Sequence, residues 1–98
     1  MGNGSQSEVT PLRSFLTASF RKLYVDLPNG VQKLAEEKYR LFQQDPFHPS
    51  LEFQAKGKVW TVAIGRSYRA IGRRFGNDLH WVWIGSHEDY NNVLGRLK

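Results

Sequence analysis

Trp81-Val82-Trp83-Ile84-Gly85-Ser86-His87-Glu88-Asp89-Tyr90 is the stretch that decides the fold. Its first half is aromatic and β-branched, the composition of a strand. Its second half opens a helix. Ser86 stands at the N-cap, with Asp89 three residues on in the manner of a capping box. Tyr90, Val93, Leu94 and Leu97 repeat at i, i+3, i+4, i+7 and give that helix one apolar stripe. A strand thus runs directly into a helix, with His87 at the junction.

Working upstream, Leu79–Ile84 is the last of three expected strands. Gly76-Asn77-Asp78 is a hairpin turn, Tyr68–Phe75 the strand before it, Gly65-Arg66-Ser67 another tight turn, and Val59–Ile64 the first strand. Turns this short imply an antiparallel meander. Before the strands the period changes. Phe20, Leu23, Tyr24 and Leu27 mark one amphipathic helix, capped by Thr17 and running to about Asp26. Val31, Leu34, Ala35, Leu41 and Phe42 mark a second, ending before Asp45-Pro46. The break at Leu27-Pro28-Asn29-Gly30 makes the pair an αα-hairpin. Arg13–Leu16 reads as a short strand. The order predicts an α+β fold: a helical hairpin on one face of a small antiparallel sheet, with a C-terminal helix. Trp81 and Trp83 are expected on one face of one strand, packed into the core rather than stacked on bases.

Ninety-eight residues make one domain, expected over 11–98, with residues 1–10 as a flexible tail. The first eight residues hold neither an apolar segment nor a basic cluster and do not read as a signal peptide. No apolar run approaches the roughly 20 residues of a membrane span. There is no cysteine, so neither disulfides nor thiolate metal ligands are available. The expectation is a soluble, cytoplasmic protein with no membrane partner.

Formal net charge is +5, and the excess is local. Lys56 to Arg74 holds six Lys or Arg and no acid, whereas the helical half mixes signs. Side chains alternate on a strand, so Arg69, Ile71 and Arg73 share a face. With two helices covering the other side, that face is expected open and cationic, suited to a phosphate backbone. Arg66, Arg73 and Arg74 read more simply as solvated side chains; for Arg69 the two readings balance. His87 is able to exchange a proton near neutral pH, or merely helps to cap the last helix; on spacing alone the second reading wins. Tyr90 is either the first apolar anchor of that helix or a phenol beside the histidine. The three histidines show no metal-ligand spacing with a carboxylate, so neither a metal nor another cofactor is expected.

Four segments resemble the RelE/ParE toxin superfamily of bacterial type II toxin–antitoxin modules: Leu27-Pro28, Asp45-Pro46-Phe47-His48-Pro49-Ser50-Leu51, Ile64-Gly65-Arg66-Ser67-Tyr68-Arg69-Ala70-Ile71, and Ile84-Gly85-Ser86-His87-Glu88-Asp89-Tyr90. The resemblance spans about residues 13–94. It implies a compact α+β fold with a basic concave sheet, and a cognate antitoxin that wraps and neutralises the chain. In RelE-like members the activity is mRNA cleavage on the ribosome, by attack of a 2′-hydroxyl on the adjacent phosphate.

Carried onto this chain, the resemblance makes Arg69 the phosphate-binding arginine, His87 the acid and Tyr90 the C-terminal tyrosine. Lys56 and Lys58 lie where the resemblance implies functional lysines; Arg66 and Arg73 join them as RNA- or phosphate-binding candidates from the charge pattern alone. Ala63 stands where many relatives carry arginine. Pro49 falls about where some carry the glutamate that serves as base, and Glu52 is displaced from it. The helix after His87 is reminiscent of ParE-like members, which inhibit DNA gyrase and cut no RNA. Three readings follow: a ribosome-dependent mRNA endonuclease, a gyrase inhibitor, or an attenuated member that only binds its antitoxin. On the last, Ala63→Arg is expected to raise toxicity.

Overall fold

The computed structural model describes residues 12–98, so the tail expected over 1–10 lies outside the described residues. In chain order the elements are β1 (Arg13–Leu16), α1 (Ala18–Val25), α2 (Asn29–Gln44), a 3-10 turn (Pro49–Leu51), β2 (Gln54–Lys56), β3 (Val59–Ile64), β4 (Tyr68–Phe75), β5 (Asp78–Ser86) and α3 (His87–Leu97).

The helix boundaries follow from local chemistry. The Thr17 hydroxyl accepts from the Phe20 amide at 3.2 Å and starts α1. Pro28 directly precedes α2, where its lack of an N–H costs nothing. The hairpin is closed by Gln32, whose Nε2 donates to the Tyr24 carbonyl at 3.0 Å, and by the Tyr24 hydroxyl, 2.9 Å from a Glu36 carboxylate oxygen. The Ser86 hydroxyl accepts from the Asp89 amide at 3.3 Å and starts α3. Glu88 and Asp89 in the first turn of α3 and Arg96 in the last complement its dipole.

β3, β4 and β5 form the expected antiparallel meander. The short strand expected over Arg13–Leu16 is present as β1, but its partner was not legible, and neither was β2. β2 adds to β3, and β1 pairs in parallel with β5, so the sheet order is β1-β5-β4-β3-β2 and the sheet is mixed. Arg13 fastens β1 to β5 through a two-pronged ion pair with Asp78, at 2.8 and 3.0 Å.

The hairpin α1–α2 covers one face. Phe20, Ala35 and Phe42 pack there on Val62, Ile64, Ala70, Trp81 and Ile84. The opposite face is not open, as expected from two covering helices, because α3 folds back over it. Tyr90 and Leu94 cover Val59 and Ile71, both fully buried. The apolar stripe of α3 had to bury against something, and Ile71 with Val59 offers the complementary patch. The end of α3 reaches the β2–β3 turn. There Gly57 has φ +63°, and a Cβ on it would come within 2.9 Å of the Lys98 Cβ.

The tryptophans also depart from expectation. A register shift in the β4–β5 ladder sets Ile71 opposite Trp83 but Gly72 opposite Trp81. Val82 is the extra residue, and a bulge of one residue turns the following side chain to the other face. Trp81 is buried beneath the hairpin, its six-membered ring resting where a Cβ on Gly72 would intrude at 3.0 Å. Trp83 is half-buried under α3.

Candidate functional site

The β3–β4 turn and the β5–α3 junction meet at one corner of the sheet. Their contact is made by the backbone: the His87 amide donates to the Ser67 carbonyl at 2.7 Å. His87 is the first residue of α3 and its side chain is exposed. Its ring lies 5.9 Å from that of Tyr90, which lies 6.5 Å from that of Trp83, so the imidazole is backed by an aromatic column. Arg69 is opposite Gly85 in the ladder, two residues before His87. It is half-buried, and one terminal nitrogen donates to the Tyr68 carbonyl at 2.9 Å and to the Gly65 carbonyl at 3.3 Å. Arg66 is exposed in the turn between them.

Those two bonds occupy a single nitrogen of the guanidinium. A guanidinium carries five N–H donors, so Nε and the other terminal nitrogen keep theirs, in the fork geometry that suits a phosphate. The charge is also uncompensated. Among the described residues the ion pair is Arg13–Asp78, far from this corner. It holds the Asp78 carboxyl below its ordinary range, chiefly through the hydrogen bond to Arg13.

The other expected site residues lie elsewhere. Lys56 ends β2 and Lys58 sits in the β2–β3 turn, under the C-terminal end of α3. At 1.5 Å per residue, α3 separates them from His87 by about 16 Å. Arg73 lies opposite His80, four residues along β4 from Arg69, or about 13 Å. It borders a shallow groove with Arg96 and Val93 of α3. Arg74 faces the hairpin side, its guanidinium 5.0 Å from the centre of the Trp60 ring. Tyr90 is buried, an anchor of α3 beside Ile71. The corner therefore unites His87, Arg69 and Arg66, and leaves Lys56, Lys58 and Arg73 at the far end of the sheet.

His48 is a turn residue, its Nδ1 accepting from the Ser50 amide at 3.1 Å. His80 stacks on Phe15, ring centres 5.0 Å apart, with Phe75 edge-on at 5.4 Å. The sequence reading missed Glu88, an exposed carboxylate next to His87 in the first turn of α3; its adjacency to His87 was the available signal. Among the described residues no group of three His, Cys, Asp or Glu side chains could hold a metal. No helix of the described residues is long and apolar enough to cross a membrane.

Residues 29–92 match the family model of a ParE-like toxin domain. No curated protein matches the chain. Among solved structures, a chain of the RelB–RelE antitoxin–toxin complex from Methanococcus jannaschii is similar over 81% of this chain and 96% of its own, at 11% identity and a TM-score of 0.65. The toxin–antitoxin complex RelBE2 of Mycobacterium tuberculosis matches over 80% and 100%, at 12% identity and 0.61. The isolated RelE toxin of E. coli matches over 89% and 99%, at 12% identity and 0.57. At these identities the likeness is one of fold.

Proposed function

The chain belongs to the ParE-like toxin domain family, within the RelE/ParE superfamily, and from that premise we propose that it is the toxin of a toxin–antitoxin module that cleaves mRNA on the ribosome. One observation carries the reading: an exposed imidazole and an uncompensated guanidinium share a corner joined by a backbone hydrogen bond and the β4–β5 ladder. The free fork of Arg69 would bind the scissile phosphate and stabilise the charge that develops on it. The 2′-oxygen forms the new bond to phosphorus, and the bond from phosphorus to the 5′-oxygen breaks. Protonated His87 delivers its proton to that leaving oxygen. The 2′-hydroxyl proton passes to Glu88 or to water. Tyr90 acts by holding the first turn of α3 on the sheet and so placing His87.

An antitoxin partner fits the same charge distribution. Lys56, Lys58, Arg66, Arg69 and Arg73 lack carboxylate partners among the described residues. An acidic segment would be steered to them, with affinity that falls as salt rises. The gyrase-inhibitor reading is favoured by one specific feature, the closure of the sheet by α3 over Ile71, which leaves no broad open face for RNA.

Induced expression in growing bacteria without an antitoxin, with transcript 5′ ends mapped, separates these readings. Loss of a general acid costs about 10²–10⁴ in rate and loss of a charge donor about 10²–10³. New ends inside translated codons are expected, lost in His87→Ala and Arg69→Ala proteins that retain native circular dichroism. Growth arrest with intact transcripts would overturn the nuclease reading in favour of the gyrase one.

A further inference from the structure

α3 crosses its face of the sheet on a diagonal, from the end of β5 at Ser86 to the β2–β3 turn, where Lys98 meets Gly57. The margin it leaves bare is made by β1, β5 and the end of β4. Phe15, His80 and Phe75 stand there as a connected row of rings. Phe15 is 41% exposed and Phe75 62%. Grouped apolar side chains left to solvent mark a binding surface more often than a single one does.

The row is set among arginines. Arg13 lies 5.7 Å from the centre of the Phe15 ring, its charge offset by Asp78. Arg73 is opposite His80 in the ladder and so shares its face. Arg73 and Arg96 have no carboxylate partner among the described residues. Between them a shallow groove, floored by Val82 and Trp83, runs on along the flank of α3. Past Trp83 a second hollow continues it to Gly85 and Ser86, directly before His87. From His80 to His87 the path is about 23 Å at strand spacing, or about seven nucleotides at 3.4 Å each.

We propose that this margin is a stacking platform for a single-stranded RNA, whose chain continues along the groove to the His87 corner. Exposed rings beside unpaired guanidiniums suit a ligand that carries both planar apolar faces and regular negative charge. An acidic protein segment would engage Arg73 and Arg96 but offer the rings nothing planar. A duplex hides its base faces. Asp26 and Asp89 border the second hollow, where carboxylates accept from base amino groups and turn phosphates away. The assignment rests on the proposed nuclease activity only for the identity of the strand as RNA.

The test is fluorescence anisotropy with labelled octauridylate and an abasic octamer of equal charge, without ribosomes. Octauridylate is expected to bind about tenfold or more tightly, since it alone can stack. Phe75→Ala should weaken octauridylate about five- to 150-fold and leave the abasic octamer unchanged, which also shows that the variant is folded. Phe75→Tyr keeps the ring and should keep the binding. Arg73→Ala should weaken both octamers alike and lower the salt slope by about one. Equal binding of the two octamers, or octauridylate binding unmoved by Phe75→Ala, would overturn the platform. An octaglutamate peptide that binds as tightly as octauridylate, with the same loss in Phe75→Ala, would overturn it in favour of an acidic protein segment. Base-dependent binding with intact cellular transcripts would keep the platform and remove the nuclease reading; cleaved transcripts without base-dependent binding would do the reverse.

Discussion

Ala63→Arg tests whether α3 truly closes the sheet. Ala63 is 3% exposed and lies directly opposite Arg69 in the β3–β4 ladder, on the face that α3 covers. An arginine there meets two penalties. The added atoms overpack a filled space, typically about 1–3 kcal/mol. The added charge sits directly across from Arg69, with no carboxylate to offset it. Together these give a loss of about 2–4 kcal/mol, against a total stability of about 5–15 kcal/mol for a domain of this size. The assay is urea unfolding followed by tryptophan fluorescence. At an m-value of about 1–3 kcal/mol/M, a loss of ~3 kcal/mol lowers the midpoint by about 1–3 M. Ala63→Leu, which adds bulk without charge, should lose less, and the difference isolates the like-charge part. The expectation that restoring arginine raises toxicity thereby changes sign: the folded population falls. An Ala63→Arg protein as stable as its parent, within about 0.5 kcal/mol, would refute the reasoning and show that α3 does not rest on this face in solution.

Three further outcomes follow from the same structure. Asp78 is held below its ordinary range by Arg13, so its pair contributes stability above the unfolded carboxyl pKa of about 3.9 and loses it as pH falls through that value and below; urea midpoints of the parent and Asp78→Asn should differ at pH 6 and converge toward pH 2, and a gap that persists would count against the pair. Burial, then the hydrogen bond to Glu36, pushes the Tyr24 phenol up, so the folded state holds that proton more tightly and stability declines as pH rises above about 10; Tyr24→Phe should remove that part of the decline in alkaline melts. Ser86→Ala should cost about 0.5–2 kcal/mol and Ser86→Gly only a few tenths, by thermal unfolding, and equal losses would argue that the hydroxyl caps nothing.

Much of the fold was legible because it is set by nearby residues. The meander rests on Gly65-Arg66-Ser67 and Gly76-Asn77, turns that leave adjacent strands no alternative but to pair. The caps at Thr17 and Ser86 are single side-chain bonds three residues long, so spacing alone locates them. What escaped is non-local. β1 finds β5 across 65 residues through Arg13 and Asp78, a pairing no periodicity encodes. The Val82 bulge leaves no mark in composition, yet it sends Trp81 and Trp83 to opposite faces. The stripe of Tyr90, Val93, Leu94 and Leu97 was plain, but not the surface that would receive it.

That last omission reshapes the site. A face taken as open and cationic becomes a closed one, and the charge is left at the two ends of the covering helix. Hairpin geometry could have foretold the division. β3 is six residues long, so Lys58 before it and Arg66 after it stand roughly 20 Å apart. Proximity in the chain had placed them in one patch. The corner with Arg69 and His87 survives this correction because two independent constraints converge on it. The ladder sets Arg69 opposite Gly85, and the Ser67 carbonyl captures the His87 amide. Any partner that needs Lys56 and Lys58 together with His87 must therefore be long enough to span α3, about 16 Å, or must displace the helix. On the proposed nuclease reading, a single scissile phosphate needs only the corner. Charge reversal at Lys56 and Lys58 should accordingly weaken the binding of an extended polyanion or an acidic protein segment, yet leave cleavage of an already bound phosphate unchanged. A loss of cleavage equal to that of His87→Ala would instead mean that α3 moves aside and the whole face acts as one.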